Sequence, residues 1–295
     1  MKMFSPVVLG LSLAVAGTMP AAAQSTPSTF KVLQIVREDP KPSKAGAAHD
    51  KTESAFVQTM VKAKSPAHYI ALNSMSGKSR ALYLEVFESF GEWEKDNKLI
   101  EKNAALSAEL EHDMAADGEL LDQVESSIYT SVPEMSYKTR VDLTKARYME
   151  MSVYHVRAGH RDDWNKLAKM VIAAHEKAGT HAHWTMYEAA FGPTDGTYVL
   201  LSADDSMADI DTGFAEGKKF REALGPDGMK ELDSLFAATV DTSYSQLFSI
   251  NPKQSYPMDE WAKGDPDFWK PKPVMAAAKP AAAAPAAKAD VAKKQ

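Results

Sequence analysis

The sequence predicts an α+β protein in which one strand-helix-strand-strand-helix-strand unit occurs twice in tandem. Three matches predict the doubling. Ala67-His68-Tyr69 returns as Ala182-His183-Trp184, 115 positions on. Ser89-Phe90-Gly91-Glu92-Trp93 returns as Ser206-Met207-Ala208-Asp209-Ile210, 117 on, and Val124-Glu125-Ser126-Ser127 as Val240-Asp241-Thr242-Ser243, 116 on. Each match is weak alone, but a common order at a nearly constant offset marks a repeated unit.

In the first copy, residues 30–37 (FKVLQIVR) have strand composition. After Pro40 and Pro42, a helix is expected over 45–63, with Thr52, Phe56, Met60 and Ala63 on one face. Residues 68–73 and 80–87 form a hairpin across Gly77. Ser89-x-x-Glu92 is a capping box for the next helix, and residues 124–131 supply the closing strand. In the second copy the first strand spans 147–156. Its helix is the clearest element: Trp164, Leu167, Ala168, Val171, Ile172 and His175 form a continuous stripe ended by Gly179. Residues 181–190 and 197–203 make the second hairpin, with Gly192-Pro193 and Asp195-Gly196 in its loop. Ser206-x-x-Asp209 repeats the capping box, Gly225-Pro226 opens a further helix, and residues 240–250 end the unit.

Helices on one face of an antiparallel sheet in this order make a ferredoxin-like unit, which leaves its other sheet face uncovered. The expected fold is therefore two tandem ferredoxin-like βαββαβ units packed sheet to sheet as an intramolecular α/β barrel. The expected boundaries are a signal peptide at 1–23, units at 24–138 and 139–256, and an aromatic strap with a disordered Ala/Pro/Lys tail at 257–295. On element order, size and doubling, residues 30–250 resemble the dimeric α/β-barrel superfamily, with its antibiotic-biosynthesis-monooxygenase-like and NIPSNAP-like members, here as a tandem pseudo-dimer. That resemblance implies cofactor-independent oxygenases, haem-degrading enzymes or proteins of no known activity. Fold alone does not choose among them.

Lys2, the apolar stretch Pro6–Gly17 and Ala21-Ala22-Ala23 have signal-peptide form, so an exported, periplasmic or secreted protein is expected. Without cysteine, disulfides, thiolate metal sites and a lipidated N-terminal cysteine are excluded. The net charge is −6. Setting aside the +1 of Lys2 and the +5 of the tail from Lys270 leaves −12 on residues 24–269, which argues against nucleic acid as a partner. The tail, broken by Pro271, Pro273, Pro280 and Pro285, has the charge to touch an anionic envelope surface, although a passive tail is the simpler reading. No transmembrane segment is expected.

Histidines carry most of the candidate chemistry. On a strand, His181 and His183 would share a polar face with Thr185 and Tyr187, and His155 could approach them as a third group. No carboxylate stands at a ligand spacing nearby, so no metal site is assigned there. The repeat singles out His68 and His183, as though each unit directed an imidazole into its own pocket. His68 travels with Ile70 and Leu72, however, and is also readable as a core histidine. His49 and His175 read as buried helix histidines on apolar stripes. The segment Tyr256–Trp269 reads as an ordered strap over the barrel surface, and ligand gating is its less favoured role. No nucleophile elbow, Gly-rich phosphate loop or HExxH motif is present.

The sequence therefore points to a small-ligand binder with a pocket lined by His181, His183, Trp184, Tyr187 and His68. The alternatives are an oxygenase-like enzyme, cofactor-free or haem-dependent, with His183 or His155 as catalyst, and a non-catalytic envelope protein. No cofactor is assigned.

Overall fold

The computed structural model describes residues 30–270. The expected signal peptide and the tail beyond Lys270 lie outside the described residues. Eight strands close into a barrel in the order β1-β3-β2-β8-β5-β7-β6-β4, every neighbouring pair antiparallel. They are β1 (Val32–Pro40), β2 (Tyr69–Ser74), β3 (Ala81–Phe87), β4 (Leu121–Ser131), β5 (Tyr148–Val156), β6 (Thr185–Phe191), β7 (Thr197–Asp204) and β8 (Val240–Ile250). Each half contributes the internal order 4-1-3-2. The halves meet along two seams: β2 meets β8 with Leu72 opposite Ile250, and β4 meets β6 with Ser131 opposite Tyr187. Among the described residues, closure leaves no sheet edge open to a further strand.

Alternation along each strand sorts residues inward and outward. Leu33 and Ile35 of β1, Met149, Met151 and Val153 of β5, Val199 and Leu201 of β7, and Phe248 and Ile250 of β8 fill the interior. Helices cover the outside. The first half carries α1 (Ala47–Ala63), α2 (Phe90–Lys102) and α3 (Ala104–Gly118); the second carries α4 (Arg161–Ala178) and α5 (Met207–Thr239). Under α4 and α5 the packing is apolar: Trp164, Leu167 and Ala168 meet Tyr198, Val156 and Val240, with Tyr154, Leu232 and Leu235 at the margin. Gly179 ends α4 in the left-handed conformation, and the Ser206/Asp209 capping box opens α5. A kink at Gly225-Pro226 divides α5.

The inward face of α1 differs from the expected one. His49, Glu53, Thr59 and Met60 are buried, and Phe56 only partly so. Apolar periodicity could not find this face because two of its four buried residues are ionisable. His49 therefore sits among carboxylates rather than on an apolar stripe.

The strap crosses the barrel end instead of wrapping the outer surface. Tyr256 bridges to Tyr69, and α6 (Asp259–Gly264) and α7 (Pro266–Trp269) follow. Trp261 and Trp269 are buried with the barrel interior, and Trp269 Nε1 donates to the Thr144 carbonyl at 3.0 Å. Asp265 pairs with Arg147 and, at 3.2 Å, with Lys145. The strap is thus fastened to the connection between the halves. Among the described residues no helix is long and apolar enough to cross a membrane.

Candidate functional site

A cavity of about 170 Å³ lies beneath the strap, at the barrel end where β1, β2, β5 and β6 begin. Its floor is the apolar interior: Leu33, Ile70, Leu84, Met149, Leu201 and Tyr187. Its roof comes from irregular chain, with Thr139–Val141 and Leu143 from the connection and Met258 and Trp261 from the strap. Strand alternation aims the floor residues inward. The roof depends on long-range docking and has no local signature.

His68 and His183 both line this cavity. The expectation of one pocket per unit is corrected: the two equivalent imidazoles face a shared space. Each precedes its strand, since β2 starts at Tyr69 and β6 at Thr185. Each ring is held by backbone. His68 Nδ1 donates to the Pro257 carbonyl at 3.1 Å and stacks on Tyr256, ring centroids 4.6 Å apart. His183 Nε2 donates to the Ala203 carbonyl at 2.8 Å, and its Nδ1 lies 3.3 Å from the His181 carbonyl. A carbonyl can only accept, so the neutral His68 ring is fixed with its lone pair on Nε2.

The other cavity groups set its polarity. Tyr187 is buried, and desolvation pushes its phenol up to about 12, so it remains a neutral hydroxyl. Arg140 is spent on the rim: it donates to the Asp142 and Ala203 carbonyls at 2.8 and 3.2 Å and pairs with Asp205 at 2.6 Å. Outside the cavity, burial first and then Glu150 push the Asp204 carboxyl up to about 6, with His183 and Arg140 opposing. Apart from Arg140, the cavity presents hydrocarbon, aromatic rings, hydroxyls and the two imidazoles.

Two of the expected site residues are elsewhere. His181 was expected on a strand facing the same way as His183, but both residues lie ahead of β6. Glu216 of α5 takes the His181 backbone N–H at 2.8 Å and its Nδ1 at 2.9 Å, drawing the ring to the surface. Burial of Glu216 opposes its ionisation, but these bonds and Lys219 bring its carboxyl down to about 2. The strand starts late because Trp184 pairs with Tyr137 in an isolated bridge and donates Nε1 to the Met135 carbonyl. His155 lies at the opposite end of the barrel, beside Thr197, in a more polar recess of about 500 Å³ that includes Arg37, Arg80 and Glu125. Along β5, His155 lies six positions from Met149 in the first cavity, about 20 Å of strand. His155, His181 and His183 do not converge. His183, Trp184, Tyr187 and His68 do line one cavity. Sequence reasoning missed Arg140, Met258 and Trp261 as cavity residues. The aromatic density of the strap was the available signal for Trp261.

No protein-family model matches the chain. No curated protein matches it either. Solved structures do. A Fusobacterium nucleatum protein described as a "putative monooxygenase" is similar over 75% of this chain and 92% of its own, at 10% identity and TM-score 0.51. A chlorite dismutase variant from Candidatus Nitrospira defluvii covers 79% of this chain and 95% of its own, at 8% identity and TM-score 0.47. A haem-binding protein of Thermus thermophilus covers 77% and 92%, at 13% identity and TM-score 0.42. At such identities the likeness, carried by the first of these, is one of fold: an α+β chain with an eight-stranded antiparallel sheet.

Proposed function

We propose that this protein binds a small, neutral, mainly apolar molecule, about one aromatic ring in size, in the cavity between His68 and His183. The observation that carries the reading is the meeting of these two residues, one from each half, over a single apolar floor. The size follows from the volume: a protein cavity of about 150 Å³ lined by aliphatic and aromatic side chains accepts benzene, and this one measures about 170 Å³. The free Nε2 of His68 and the Tyr187 hydroxyl would orient a ring substituent such as a hydroxyl, while His183, both of its ring nitrogens against carbonyls, walls the site. The spent charge of Arg140 disfavours an anion.

Titration with phenol and related single-ring compounds, followed by Trp184 and Trp261 fluorescence, tests this. Saturable binding at one site is expected, lost when Ala203→Leu fills the cavity. No saturable change with any of them, or binding indifferent to Ala203→Leu, would sink the reading.

The fixed His68 tautomer favours a second reading, an oxygenase-like enzyme without cofactor. A lone pair on Nε2 is the acceptor needed to take a proton from a bound hydroxyl and raise the ring's electron density towards oxygen. Ligand-dependent oxygen consumption, lost in His68→Gln while binding persists, is the test. Haem does not fit this cavity: about 170 Å³ is below the roughly 300–1,000 Å³ of pockets for drug-sized ligands, and Met258 and Trp261 form its roof. We further read the chain as a tandem pseudo-dimer descended from a duplicated unit, supported by the common 4-1-3-2 order and the three sequence matches. Export rests on the N-terminal residues alone, and N-terminal sequencing of the mature protein tests it.

A further inference from the structure

Outside the barrel, between β1, α1 and α3, four ionisable side chains share a space that aromatic and aliphatic side chains fill in the other half. Glu38 projects from β1, His49 and Glu53 stand one turn apart on α1, and Asp117 closes the group from α3. His49 Nε2 lies 3.0 Å from Glu38 Oε2, 3.7 Å from Asp117 Oδ1 and 3.9 Å from Glu53 Oε1. One donor atom from each of the four falls within 4.8 Å of the others. The side chains of His49, Glu53 and Asp117 are at most 4% exposed, and that of Glu38 is 13%.

Two observations beyond the clustering point to a ligand. Glu53 Oε1 is buried with no hydrogen-bond partner, although it faces the centre of the group. The Tyr83 hydroxyl, on a residue 8% exposed whose proton affinity is raised by burial and then by Glu53, turns to this carboxyl but brings no charge to offset it. Orphaned buried oxygens are costly unless something satisfies them. The second half supplies the internal comparison: there the outer face of β5 and the helices above it bring Tyr154, Val156, Trp164, Ala168 and Leu232 together. Packing alone therefore does not require polar groups at this level.

We propose that Glu38, His49, Glu53 and Asp117 form a structural site for a divalent transition-metal ion of the zinc or manganese kind. Three carboxylates with one imidazole suit such an ion better than magnesium or calcium, which favour oxygen alone. Donors about 2.0–2.2 Å from an ion lie roughly 3–4 Å from one another, near the spacing seen here. The Thr52 hydroxyl bonds to Asp117 Oδ1 and orients it, as partners behind metal ligands do. The ion would take up the orphaned Glu53 oxygen, neutralise the carboxylates and fasten α1 and α3 to the sheet.

The test uses the full chain, stripped with EDTA and returned to metal-free buffer, then titrated calorimetrically with Zn²⁺ and Mn²⁺. One ion per chain is expected, with a rise in Tm. Glu53→Gln and Asp117→Asn should each weaken binding at least about tenfold while the far-ultraviolet circular dichroism is unchanged. Absence of saturable binding for both ions, or binding that survives both substitutions, overturns the site. Co²⁺ added to the unsubstituted chain gives a reading that no variant's folding can obscure. Visible bands distinct from those of aqueous Co²⁺ support the site, and an aqueous spectrum overturns it.

Discussion

His68 and His183 stand 115 positions apart in the chain and line one cavity, each anchored through a ring nitrogen to a backbone carbonyl, that of Pro257 for the first and Ala203 for the second. The pairing is a product of barrel closure. Each histidine precedes the second strand of its own half, and the two strand starts open onto the same end of the barrel. If the free Nε2 of His68 grips the ligand while His183, both of its ring nitrogens against carbonyls, only walls the site, the two variants should differ. His68→Ala is expected to weaken binding of a hydroxylated ring about tenfold, near the 0.5–1.5 kcal/mol of a typical net hydrogen bond, and His183→Ala to weaken it less. Calorimetric titration of both variants checks this, and an unchanged affinity in His68→Ala removes that residue from the site.

Trp261 roofs the cavity while being buried itself. Trp261→Ala should destabilise the fold by about 3–5 kcal/mol and speed ligand entry and exit together. Urea denaturation gives the first quantity and stopped-flow fluorescence the second. A variant of unchanged stability would show that the strap is not part of the packed core.

Glu53 predicts a pH dependence for the metal-free chain. Burial, then the charges of Glu38 and Asp117, raise its carboxyl from 4.5 to about 9, with His49 and Tyr83 the other ionisable groups facing it. The folded state thus holds a proton that the unfolded state releases near 4.5. Between about pH 4.5 and 9 the folded chain binds more protons, so this group's contribution to stability falls as pH rises. Glu53→Gln should flatten that slope in melting temperatures taken from pH 5 to 9. If the metal site forms, binding should also release a proton and tighten with rising pH.

Gly196 turns the β6–β7 hairpin with φ of +81°, and a Cβ there would lie 2.5 Å from the Val156 carbonyl oxygen. Gly196→Ala therefore combines strained backbone with a clash against main chain. A loss of at least about 1–3 kcal/mol is expected, read from the denaturation midpoint. A neutral result would mean that the turn relaxes without the glycine.

The elements legible in the sequence were those with a local cause. The stripe from Trp164 to His175, the Ser206/Asp209 cap and the strand 240–250 each announce themselves through period, cap chemistry or composition. What failed was governed from a distance. Glu216, 35 residues away on α5, takes His181 out of the expected strand face. The inward face of α1 was misjudged because buried His49 and Glu53 count as polar in any hydrophobic pattern. The cavity's roof was illegible because Arg140 and Trp261 reach it only through tertiary docking.

The β2–β8 seam has a consequence for how the chain is made. During synthesis the first half leaves the ribosome with β2 and β4 as two bare edges, and β2 finds its partner only once residues 248–250 have emerged. Until then that half offers backbone hydrogen-bonding groups to any strand nearby, including a sister half on a neighbouring nascent chain. Slow folding, dependence on holding factors and a tendency to exchange halves between molecules are the expected habits of a barrel whose final stave is cut last.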